Sequence, residues 1–170
     1  MGDRDNSVMA CPPNVESGEI SLVKTRIVAW LVAFLVIFNL GYLFHEILAR
    51  DFMTARIGAI TRSSYIIPLI ALSFALYVAI LVYLYPIFLT YYHHRWHPIA
   101  IGSWMGGLMG FLWDALQGGL IEVATFRMPA SVFVVDSSYH TVEGVLAGTL
   151  IAIVFEKMNP QVSALDLETR

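Results

Sequence analysis

Charge is what this chain has least of. Only 14% of its 170 residues are charged, against about a quarter in soluble domains, while 58% are hydrophobic. There is no basic excess either. Ten lysines and arginines face thirteen acids for a net charge of −3, which gives nucleic acid no electrostatic footprint to hold. Cysteine is nearly absent: Cys11 stands alone, so no internal disulfide can form. The ten residues before it include Asp3, Arg4 and Asp5 and no apolar core, which excludes a lipoprotein signal. The first apolar run starts only after Val23 and is too long for a cleavable leader. Also missing are a nucleophile elbow, a phosphate-binding glycine loop, a zinc-protease His-Glu motif, Cys-x-x-Cys and a dinucleotide fingerprint. Their absence argues against a familiar enzyme. No internal repeat or inverted duplication is readable.

What the chain does have is long apolar runs. Four spans are expected, over residues 27–48, 65–90, 98–124 and 139–155. About 20 apolar residues cross a bilayer core, so the first three are ample and the fourth is short. Helices are the expected form, because lipid offers backbone groups no other partner. Pro68 and Pro98 suit first helical turns, whereas Pro86 should kink or end the second span. Between the spans, residues 50–64 suggest an amphipathic turn at the membrane surface, and 91–97 a tight link. Val132 to Val135 form an apolar stretch too short to span, and Asp136 and Ser138 are suitable N-caps for the fourth helix. The fold expected is an all-α integral membrane four-helix bundle, up-down-up-down. It occupies residues 21–157, between flexible polar tails at 1–20 and 158–170. Lys24, Arg26, Arg95 and Lys157 balance Arg50, Arg56, Arg62 and Arg127 across the bilayer; Arg4 and Arg170 tip the tails toward the cytoplasm.

The third span carries a period of four: Gly102, Gly106, Gly110, Asp114, Gly118, Glu122. Positions four apart share a helix face, so a groove without side chains runs into a carboxylate. Gly144 and Gly148, with Ala152, give the fourth helix a matching stripe suited to close packing. Asp114 lies 16 residues after Pro98, roughly 24 Å along a helix and past mid-membrane. An acid there must face protein or water. Either it binds a proton, ion or substrate, or it fixes helix register through hydrogen bonds. Gln117 projects nearby, and Tyr42, Tyr77 and Tyr83 are candidate donors.

Glu122 and Glu143 fall toward the same membrane face. Each could join Asp114 in a polar cleft; otherwise Glu122 is interfacial and Glu143 favours its helix N-terminus. His140 stands three residues before Glu143, Asp136 precedes both, and His45 and Glu46 end the first span on that side. Carboxylate metal sites in helical bundles use Glu-x-x-His pairs from two helices, and here the second pair is lacking, so no metal or other cofactor is expected. His93, His94 and His97, set among Tyr91, Tyr92, Arg95 and Trp96, read as an interfacial anchor.

With these residues in view, the chain resembles a family of small bacterial four-helix membrane proteins, the domain of unknown function numbered 2177. The similarity runs over about residues 38–156. It rests on Trp113-Asp114, Thr125, Met128-Pro129, Val132 to Val135, Asp136, Tyr139 and Thr141, with Tyr77, Tyr83 and Pro86 in the second helix. The chain departs from that pattern at Asn39, Tyr42 and His140, where the family has Asp, Trp and Gly, and by an extra helical turn between Asp114 and Pro129. The resemblance implies the fold and a bacterial inner membrane, with Asp114 and Asp136 as shared residues. It implies no activity.

The function expected is binding or translocation of an ion, proton or small amphipathic molecule. The cleft for it is lined by Asp114, Gln117, Glu143, His140 and Asp136. The alternatives are an accessory subunit of a larger membrane complex, whose glycine and aromatic surfaces meet partners, or a lipid-modifying enzyme. The bilayer is the expected partner, with a homo-oligomer or larger complex left open.

Overall fold

The computed structural model describes residues 15–59, 66–115, 124 and 129–159. Among them every regular element is helical: α1 (Val15–Leu43), a π-helical turn (Phe44–Leu48), α2 (Arg50–Ile57), α3 (Ile67–Tyr92), α4 (Pro98–Asp114) and α5 (Ala130–Met158). Three segments are long and apolar enough to cross a membrane: Ser21–Leu48, Ile67–Tyr92 and Ala130–Met158. At about 1.5 Å per residue, each exceeds the roughly 30 Å hydrocarbon layer. Their outward faces agree. Leu31, Leu35, Leu69, Leu72, Leu76, Ile80 and Val142 are exposed around the molecule, as lipid allows and water would penalise. The chain is an all-helical membrane protein.

Each helix buries a narrow stripe. In α1 every fourth residue from Thr25 through Ala29, Ala33 and Ile37 to Gly41 is buried. These mostly small side chains let α3 and α5 approach. Tyr77, Val78, Leu81, Val82, Tyr85 and Leu89 of α3 complete the core with Ile101 and Met105 of α4 and Ala147, Ile151, Ala152 and Phe155 of α5. Helix α4 packs most extensively on α5, α5 also on α1, and α3 against both α1 and α4. At one end Ser21 and Thr25 of α1 are tied to Asn159 beyond α5 by hydrogen bonds of 3.0 and 2.8 Å.

Several boundaries differ from expectation. Helix α1 begins at Val15, inside the segment expected to be a flexible tail. Pro86 does not end α3, which continues to Tyr92; one lost backbone bond is tolerated inside a packed apolar helix. The largest difference is α5, which starts at Ala130 rather than near Tyr139. Pro129 is its cap, in extended conformation, and nothing after it breaks a helix. Val132 to Val135 therefore belong to α5, and Asp136 and Ser138 lie inside it. The Ser138 hydroxyl donates back to the Val134 carbonyl at 2.7 Å instead of capping. Residues 116–123, the rest of the expected third span, lie outside the described residues.

Candidate functional site

The α4–α5 seam leads to the site. A side chain on Gly102 would collide with the Gly148 carbonyl, one on Gly106 with that of Gly144, and one on Gly110 with that of His140. The reverse holds for Gly144 and Gly148 against Gly106 and Gly102. Backbone thus meets backbone, in the manner of Cα–H···O contacts between helices. Gly118 lies outside the described residues. The glycine surface is consumed within the chain, with Ser103 and Thr149 hydroxyls 2.7 Å apart beside it.

One turn past Gly110 the seam changes character. The Ser137 hydroxyl of α5, itself buried, donates to Asp114 Oδ2. Six residues further along α5, Glu143 is 1% exposed and accepts from two neighbours on its own helix: the Tyr139 hydroxyl at 2.9 Å and His140 Nδ1 at 2.8 Å. With Glu143 ionised and therefore accepting only, the imidazole proton of this contact is on Nδ1 and Nε2 is directed elsewhere. That atom faces Asp136 Oδ1 at 4.0 Å.

From the other side comes α1. Its π-helical turn, Phe44–Leu48, widens the helix there and carries His45. The Phe44 ring stacks on Tyr139 at 3.9 Å, holding this turn against α5, and His45 Nε2 stands 3.7 Å from Asp136 Oδ1. Asp136 Oδ1 is buried and accepts no hydrogen bond. Three helices therefore bring three carboxylates (Asp114, Asp136, Glu143) and two imidazoles (His45, His140) together. Among the described residues no lysine or arginine pairs with any of the three acids.

Of the residues expected to line a cleft, Asp114, Asp136, His140 and Glu143 are gathered here; Gln117 and Glu122 lie outside the described residues. Tyr77 is buried but donates to the Gly106 carbonyl at 3.5 Å rather than to Asp114. Tyr42 and Tyr83 are exposed and do not serve. His97 caps α4 by accepting from Ile99 N at 3.3 Å, and His93 bonds its own helix at Leu89 and Thr90 with its ring 3.6 Å from that of His94; among the described residues this run forms no group of three metal-ligating side chains. His45 is the member that site expectations omitted. Its signal was its position at the end of the first span, on the membrane face shared by Asp136 and His140.

Fold and site together define a class: a helical membrane protein with a half-buried carboxylate–imidazole cluster around the buried Glu143. No protein-family model, curated protein or solved structure matches the chain to narrow that class further.

Proposed function

We propose that this chain is a four-helix, up-down-up-down bundle that binds a cation, a proton or a metal ion, in the cluster between α1, α4 and α5. The observation that carries the reading is the charge imbalance. Three acids outnumber two imidazoles, so with all three acids ionised negative charge is in excess even with both rings protonated. Uncompensated charge in a low-dielectric interior is costly, and a bound cation offsets it. The remaining sequence of the third span, 98–124, is long enough to complete a fourth crossing. The likeness to the domain of unknown function numbered 2177, the bacterial inner membrane and cytoplasmic tails belong to this proposal. An accessory-subunit role loses its glycine surface, because α5 covers it.

Asp114→Asn tests the reading, since asparagine keeps an acceptor for Ser137 and removes the charge. The purified full chain in mild detergent should melt at a midpoint that depends on pH or on added cation. The variant should accumulate normally and lose most of that dependence. A variant that fails to accumulate would make Asp114 a structural acid, and a wild type insensitive to pH and to every cation would overturn the proposal.

A further inference from the structure

Resting on that cation-binding reading, we propose that His45, Asp136 and His140 form a three-ligand site for a divalent first-row transition-metal ion, oriented by Glu143. The ligating atoms of these three residues all lie within 4.8 Å of one another, with Asp136 Oδ1 3.7 Å from His45 Nε2 and 4.0 Å from His140 Nε2. These separations are too long for hydrogen bonds. Ligands about 2.0–2.1 Å from a shared ion are about 3.3 Å apart in tetrahedral geometry, a contraction that side-chain torsions on two helices can supply.

Three features support a metal. Asp136 Oδ1 is a buried acceptor without a donor. With Glu143 ionised, His140 donates its Nδ1–H to it, so in the neutral ring its Nε2 lone pair faces that acceptor, and a cation between the two lone pairs satisfies both. A ligating histidine whose other nitrogen is held by a carboxylate is the usual outer arrangement of metal sites. Glu143, itself held by Tyr139, occupies that place and acts as a positioning residue.

The donor set names the class of ion. Two imidazoles and one carboxylate suit Zn²⁺ or Fe²⁺ and leave a coordination position open for water or a ligand. They do not suit Ca²⁺ or Mg²⁺, which take six or more oxygens.

Co²⁺ is the probe, because its visible absorption reports coordination by nitrogen and oxygen. The full chain should be purified in detergent through a tag free of histidine and titrated with Co²⁺, then with Zn²⁺. One equivalent of Co²⁺ should give visible bands that Zn²⁺ abolishes. His45→Ala and His140→Ala should weaken binding at least tenfold, while His93→Ala with His97→Ala should leave it unchanged. Glu143→Gln should weaken it about 10- to 100-fold, as loss of an orienting carboxylate does. Absence of bands, or bands that survive in His45→Ala and His140→Ala, would overturn the metal site. If Co²⁺ and Zn²⁺ fail to bind while Asp114→Asn still removes a pH- or cation-dependent melting shift, this inference falls and the cation-binding reading stands. If that shift is also missing, both fall.

Discussion

Helices α4 and α5 meet in two ways along one seam, and the contrast shows how the protein separates packing from chemistry. From Gly102 to Gly110 the contact is glycine against backbone, with no room for a methyl group. At Asp114 and Ser137 it becomes side chain to side chain, and the partners are ionisable or polar. Lipid provides no hydrophobic drive between helices, so the glycine stretch holds the pair by close van der Waals contact. That rigid seam lets the other end hold polar groups whose mutual placement would otherwise be loose. The glycines fix the axes, and the ionisable groups use them.

Substitutions should separate the two regions by the size of their effects. The largest belongs to the glycine stretch: Gly106→Leu drives a side chain into the Gly144 carbonyl, which cannot move without α5. A loss upwards of about 3 kcal/mol is expected, read as failure to accumulate or collapse of the melting midpoint in detergent. Next is Glu143→Leu, which strands the Tyr139 hydroxyl and the His140 N–H in the interior at a cost of about 3 kcal/mol. Glu143→Gln retains an acceptor and should cost distinctly less. Ser137→Ala removes one donor from Asp114 and should cost about 1 kcal/mol, with little further loss when combined with Asp114→Ala, as a double-mutant cycle would show. The smallest effect is Thr149→Val beside Ser103, about 0.6 kcal/mol, since hydroxyl pairs in membranes average that little. If Ser137→Ala proved as damaging as Gly106→Leu, the division between the two regions would fail.

The helical, membrane-bound character was legible because apolar runs of that length leave the backbone no other solution. The glycine period was legible too, since a spacing of four on each of two segments specifies a face. The start of α5 was not. Val132 to Val135 looked like a short separate stretch, and Asp136 with Ser138 looked like capping residues. Capping preference is a local tendency, and α5 runs through them from Pro129 because nothing breaks its hydrogen-bond ladder. His45 was placed on the right side of the membrane but not among the site residues, for a different reason. Its partners lie on a helix distant in sequence. A straight continuation of the α1 stripe through Thr25, Ala29, Ala33, Ile37 and Gly41 puts position 45 on the buried face in line with α5, but does not name Asp136 or His140 as the residues waiting there.

The account turns on partly buried carboxylates that no lysine or arginine of the described residues pairs with, and thermal unfolding of a charge-neutralised variant addresses it directly. The full chain and the triple substitution Asp114→Asn, Asp136→Asn, Glu143→Gln would be melted in chelator and then in excess divalent cation. The wild type should gain stability with the cation, and the neutralised chain should melt at one temperature in both conditions. A wild type that unfolds identically with and without cation, at every pH tried, would contradict the central claim.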